Sequence, residues 1–408
     1  MSEIKADIAI AGGGMVGATL ALALAQGGLD VAVADPLTRA QMEDERFDGR
    51  VVALAFATVR MLKTLGVWER LAPNAQAIDD IIVNETELGR GPFPFSIHFD
   101  HREIGEPLGH IVENRYIRQA LLACMESEKR IRFLPGTAAS DLAVGESRAV
   151  LTLSDGTRIE APLVIAAEGR DSPLREAQGI QTAGWSYGQS GIVVTVAHER
   201  PHNGVAWEQF LATGPFAILP MTGNRASLVW TETDREARRI MALPDVPFTE
   251  ELRKRFGQHL GDVRPVSQRW SYPLKLHLAR SYVKPRFALA GDAAHTIHPL
   301  AGQGLNLGLK DVAALAETVL DAARLGLDYG RVDVLQRYER WRRFDSFTLA
   351  VVTDGLNRLF SNDFLPLRLV RDVGMAVVDQ IPPLRRLFMR HAGGELGTLP
   401  RLLKGLPA

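Results

Sequence analysis

Three acids in this chain end short apolar runs, two of them beside glycine and the third after a glycine-rich turn, a combination suited to holding a polar, phosphorylated ligand. Gly12, Gly14 and Gly17, with Met15 and Val16 between them, have the spacing Gly-x-Gly-x-x-Gly, and Asp35 follows about twenty residues later. In that pattern the first glycine permits a tight turn and the second lets a pyrophosphate approach. The third keeps helix and strand close, and the acid accepts hydrogen bonds from a ribose. Glu168-Gly169 closes the run LVIAA, and Gly291-Asp292 closes FALA. Beyond Asp292 come Pro299, Gly302 and Gly304, and then Leu305, Leu309, Val312, Leu315, Ala316 and Val319 at helical spacing. A helix starting there presents unpaired N–H groups and roughly half a positive charge to whatever the glycines admit. The spacing alone leaves NAD and FAD open, and in the second loop it leaves open glycine used only for packing.

The elements needed to position these residues are legible. Residues 6–11, 31–34, 163–167 and 287–290 are apolar runs of buried-strand length, and residues 18–26 and 114–125 are helical. Residues 131–133, 149–153 and 158–159 have the look of hairpin strands around Asp155-Gly156. Residues 191–196, 216–219, 227–231 and 271–276 are strand-like and separated by turns, as in an antiparallel sheet. The expected fold is therefore α/β: a Rossmann-like dinucleotide domain with an inserted antiparallel-sheet domain and a C-terminal helical region. The dinucleotide domain takes residues 1–76, 110–180 and 281–330, and residues 77–109 form an insertion on the substrate side. The inserted sheet takes 181–280, and helices with a basic tail take 331–408.

Composition narrows the class. Apolar residues make up 46% and charged residues 23%, with a formal net charge of −1, so nothing global points to nucleic acid. Cys124 is the single cysteine, which excludes an internal disulfide and a cysteine zinc cluster. The chain enters a strand directly after residues 1–5 and has no apolar run of membrane-span length, so a cytoplasmic address is expected. Residues 381–408 carry Arg385, Arg386, Arg390, Arg401 and Lys404 against Glu395 alone. Two readings of this tail stay open: a solvated helix with a frayed end, or peripheral attachment to an anionic membrane surface or a partner enzyme.

With these segments in place the sequence resembles the group A flavoprotein aromatic hydroxylases, and within them the branch that hydroxylates polyprenylated phenols in ubiquinone biosynthesis. The resemblance is carried by residues 12–17 with Asp35, by residues 163–175, and above all by the run HPLAGQGLNLGLKD at 298–311. It implies an FAD-dependent monooxygenase that acts through a flavin C4a-hydroperoxide, with dioxygen and a polyprenylphenol as substrates. Electrons would come from NAD(P)H or a protein donor. Gly12, Gly14, Gly17 and Asp35 would hold the ADP half of FAD. Arg50, with Asn114 or Arg118, would contact its phosphates or ribityl chain, and Asp292 a ribityl hydroxyl. Pro299, Gly302, Gly304 and Asn306 would lie along the isoalloxazine, and the helix N-terminus at Gly304 and Leu305 would stabilise negative charge on it. Glu168 stands where the family usually has aspartate, a departure that bears on reduced-nicotinamide use. Tyr187, Trp207, Phe210 and Pro220 are expected to line the substrate pocket, and no catalytic base stands out.

Asp292, His295 and His298 have a spacing that metal ligands also show. Here the acid is wanted by flavin and His298 directly precedes proline, so no metal is expected. A flavin reductase or dehydrogenase of isoprenoid lipids, and a non-catalytic scaffold of the biosynthetic complex, are the competing functions.

Overall fold

Four apolar runs pair side by side and carry the acids on their carboxyl ends. Ile8–Ala11, Val31–Asp35, Leu163–Ala166 and Phe287–Leu289 are buried along their whole length, as parallel strands covered on both faces must be. With Ile131–Pro135 and the antiparallel edge Val283–Lys284 they form a six-stranded sheet. Its spatial order is 283–284, 287–289, 163–166, 8–11, 31–35, 131–135. The computed structural model describes residues 2–44, 49–87, 91–211, 213–297, 302–360, 378–395 and 397–408.

The helix Met15–Gln26 packs against Asn114–Ser127 and against Gly304–Arg324, whose inner side is lined by Val312, Leu315, Ala316 and Val319. Residues 131–135, expected in a hairpin, instead extend the parallel sheet beside Val31–Asp35. The reason is the preceding helix 114–127, which supplies the crossover that a parallel neighbour requires. The remaining strands, Ala139–Val144, Ala149–Leu153 and Arg158–Ala161, form a four-stranded sheet with Glu3–Lys5.

The second large sheet has nine strands and includes Thr182–His198, Val205–Leu211, Gly214–Met221, Arg225–Thr233 and Trp270–Ala279. One of its faces carries Ile192, Val194, Phe216, Ile218, Leu228 and Trp230. It lies under the helices Asp234–Met241 and Asp245–Phe256, which contribute Ile240, Phe248, Leu252 and Phe256. On the other face Ala206, Leu219 and Met221 meet Val51 and Ala53 of the strand Val51–Ala55. The short strand His295–Thr296, just past Asp292, pairs with His277 and Leu278 and so joins the crevice to this second sheet.

The C-terminal helical region opens with one long helix, Val332–Phe360. The chain end is ordered rather than frayed: Leu402 and Leu403 are 1% exposed, and Arg401 bonds to Glu317 and Asp321. Its basic residues are spent partly inside the fold, which a count of charges does not reveal.

Candidate active site

The strand order brings the acids together. Leu289 lies beside Ala166, Ala166 beside Ala11, and Ala11 beside Ala34. Asp292, Glu168, the glycine turn and Asp35 therefore follow one another across the carboxyl edge of one sheet, where open α/β folds form their ligand crevice. Val16 fixes the distance between the first and last of these segments. A Cβ on Gly291 would sit 3.0 Å from its side chain, and one on Gly308 2.9 Å.

Each glycine of the turn has its own reason. Gly12 has φ +104°, and a side chain there would strike the Ala167 carbonyl. A side chain on Gly17 would strike the Gly12 carbonyl. Gly14 is exposed, with nothing of the protein within 4 Å of where its Cβ would stand. The fold does not need glycine there, but a ligand touching the backbone does. Gly304 has the same open space. Both helices that begin at these glycines lack a side-chain cap and an acid in the first turn, so their N–H groups and positive dipole ends are left for a ligand.

The acids differ in how they are held. Asp35 accepts the Gly13 N–H at 2.6 Å and the Leu37 N–H at 2.8 Å. Burial pushes its carboxyl up, against the pull of those bonds. Glu168 accepts the Ser172 hydroxyl at 2.6 Å and the Leu174 N–H at 3.2 Å, and burial raises its carboxyl too. Asp292 is solvent-accessible yet surrounded by protein. Dehydration raises its carboxyl above the usual range, with His295 and Arg170 opposing, and no hydrogen bond reaches it among the described residues. An accessible acid with no hydrogen bond of its own, at the edge of such a crevice, is free to accept one from a ligand.

Arg50, Asn114 and Arg118 come to one corner. The Asn114 N–H donates to the Arg50 carbonyl at 3.0 Å, Arg118 lies one helical turn further on, and Asn114 Oδ1 is buried without a hydrogen bond. Gly302 has φ +63° and brings its backbone against Ala53. The Asn306 side chain is turned into the protein: Nδ2 donates to the Ala53 carbonyl at 2.8 Å, and Oδ1 accepts from Ala55 N and Thr58 Oγ1. It pins the strand Val51–Ala55 to the helix start and leaves only its backbone for a ligand. Pro299 and His298 lie outside the described residues.

This geometry makes a dinucleotide crevice with two free helix ends and an unpaired acid, and comparison with known proteins gives the cofactor. A family model described as FAD binding domain matches residues 5–344. Ubiquinone hydroxylase UbiL of Rhodospirillum rubrum is 47% identical over 405 residues, covering 98% of this chain and 93% of that protein. The chain belongs to the FAD-dependent hydroxylases of the ubiquinone-biosynthesis branch. The 3-demethoxyubiquinol 3-hydroxylase of Escherichia coli is 36% identical over 398 residues, covering 97% of this chain and all of that one. Among solved structures, p-nitrophenol 4-monooxygenase PnpA of Pseudomonas putida DLL-E4 superposes with a TM-score of 0.80 at 17% identity, over 98% of this chain and 100% of that chain. That likeness shows the fold.

The residues present fit FAD. Gly14 and Gly304 leave open backbone that side chains would fill, and Asp292 and Asn114 Oδ1 offer acceptors to hydroxyl or amide donors. The four aromatic and proline positions expected around the substrate are divided between two places and two faces. Trp207 packs under the helical layer with its ring 4.5 Å from that of His259, and alternation along the strand puts Pro220 on that same face. Phe210 points to the opposite face. Tyr187 packs with Leu307 of the first turn of Gly304–Arg324, together with Leu276 and Ile297.

Behind the crevice lies a buried cluster that the sequence reading missed. Asp311 accepts from His295 Nε2 at 2.6 Å, Gly291 N at 3.0 Å and Arg342 Nε at 2.8 Å, and Arg342 also donates to Asp345. Burial works to raise the Asp311 carboxyl, but His295 and Arg342 hold it below its ordinary value. His295 is thus committed to a carboxylate. Pairing over the distance from 311 to 342 leaves no local signal, and Arg342 looks like one more charge in a basic turn.

Proposed function

We propose that the protein hydroxylates the aromatic ring of a polyprenylated phenol in ubiquinone biosynthesis, with electrons from NAD(P)H or a protein donor. The observation that carries this reading is the convergence of three strand-end acids and two uncapped helix ends on the carboxyl edge of one sheet. Bound FAD supplies electron transfer and activation of dioxygen. Asp35 and the Gly14 backbone hold its adenosine and pyrophosphate side, Asp292 a ribityl hydroxyl, and the N–H groups at Gly304 and Leu305 the electron-rich edge of its ring. Apolar residues of the sheet exclude water and receive the prenylated ring. The names of the R. rubrum and E. coli relatives support the pathway.

The test combines purified protein with FAD, NADH or NADPH and 2-geranylphenol. Substrate-dependent oxygen uptake with a product heavier by one oxygen is the expected result. Nicotinamide oxidation that reduces the lipid without oxygen uptake favours the reductase, and no turnover with any donor favours the scaffold.

Peripheral membrane contact belongs to the same reading. Among the described residues no helix is long and apolar enough to cross a membrane. The helix Pro382–Ala392 exposes Leu387 and Phe388 beside Arg386 and Arg390, and Ile381 precedes it, an arrangement suited to an anionic lipid surface. Arg386→Glu with Arg390→Glu is expected to abolish pelleting with anionic liposomes; unchanged pelleting discards this contact.

A further inference from the structure

Along Val205–Leu211, side chains alternate between the two faces of the second sheet. Trp207 and Leu211 go under the helical layer, whereas Ala206, Glu208 and Phe210 point the other way. Ala206 meets Val51 and Ala53, the strand that Asn306 and Gly302 hold against the start of the helix at Gly304. Glu208 is the next residue on that face. Its cross-strand neighbours are Val83 and Ala217, so a carboxyl stands in a row of apolar side chains on the sheet face that meets Val51–Ala55 at Ala206. It is partly buried, and no hydrogen bond or ion pair reaches it among the described residues. Glu85, opposite Phe210 on the strand Asp80–Glu87, is the ionisable group sharing this face of the strand pair, and Val51–Ala55 contributes none. A carboxyl set among apolar neighbours without a partner adds nothing to the fold, so the position needs another explanation.

We propose that Glu208 receives the ring hydroxyl of the phenol, accepting its hydrogen bond and taking its proton as the ring is attacked. This rests on the hydroxylase reading and adds the acid–base group which that reading lacks. The substrate O–H bond breaks as a carboxyl O–H bond forms; when the ring regains aromaticity, the C–H bond at the attacked carbon breaks, its proton passes to water, and the carboxyl proton returns to the phenol oxygen. No electrons pass through Glu208. Dehydration alone pushes its carboxyl up to about 7, which poises it to exchange a proton near neutrality. Phe210 and Ala217 offer the apolar surface on which such a ring rests.

The experiment uses the full chain loaded with FAD, with 2-geranylphenol and its methyl ether as probes. Binding is followed by the change in flavin absorbance and turnover by product mass. The wild type is expected to bind the phenol at least tenfold more tightly than the ether. Glu208→Gln and Glu208→Leu are expected to lose that preference and at least a hundredfold in turnover, with FAD affinity unchanged and Tm equal or higher. Glu208→Asp should recover part of the preference. Wild-type preference and turnover in both Gln and Leu variants overturn the proposal, as does a lowered Tm with loss of FAD, the mark of a structural role. A wild type that shows no preference also overturns it. A wild type that prefers the phenol through Glu208 yet never hydroxylates sinks the hydroxylase reading alone.

Discussion

Paired and unpaired carboxylates in this molecule are treated in opposite ways. Behind the crevice Asp311 is fully buried and saturated by His295, Gly291 and Arg342. Asp292 is solvent-accessible and Glu208 partly buried, and nothing in the described protein hydrogen-bonds to either. The paired acid is scaffold: it locks the turn carrying Asp292 to the helices behind. The unpaired acids are the two that the proposed function assigns to ligands. Charge alone does not separate the two kinds of acid, whereas burial and the presence of a partner do.

The sharpest way to break this contrast is to strand one charge of the paired cluster. Arg342→Leu leaves Asp311 without its guanidinium, and chemical denaturation should show a loss of about 3–5 kcal/mol. A loss below about 1 kcal/mol would return Asp311 to the class of incidental contacts.

Next in size is Asp292→Asn. It removes a charged acceptor, so FAD affinity should fall by about 1.5–3 kcal/mol, roughly tenfold to a hundredfold, in a fluorescence titration. Stability without FAD should be unchanged or raised, the reverse of the Arg342 result.

The smallest effect lies in the acid limb of the stability curve. Asp311 is depressed in the folded protein, so its contribution is complete above its unfolded value near about 4 and disappears as pH falls through the lower folded value. Asp292 is raised, so its cost is present above its folded value and is relieved as pH falls. Denaturation between about pH 3 and 7 should therefore show a shallower acid loss for Asp311→Asn and a steeper one for Asp292→Asn. The same slope in both would contradict the assignment.

Much of the crevice was legible because buried parallel strands leave uninterrupted apolar runs, and the acids that end them cannot be explained by packing. Asp35, Glu168 and Asp292 were visible in that way. Faces and long-range partners were harder to see. Trp207 and Phe210 were grouped as pocket residues, yet positions three apart on a strand point to opposite sides, and that parity also hid Glu208 beside them. The strand 131–135 was misplaced because a short apolar run carries no direction until the helix before it is read as a crossover. Arg342 and Arg401 looked like surface charge because their partners are distant in sequence.

The central claim is that this crevice is shaped for FAD, and Gly14 tests it most directly. Its backbone is extended, with φ −65° and ψ −175°, and a side chain there meets open space, so Gly14→Val should fold with the wild-type Tm. Titrated with FAD, the refolded apoprotein of this variant should bind at least a hundredfold more weakly than the wild type. Full FAD affinity in the folded variant would contradict the account, because it would place the cofactor away from the glycine turn.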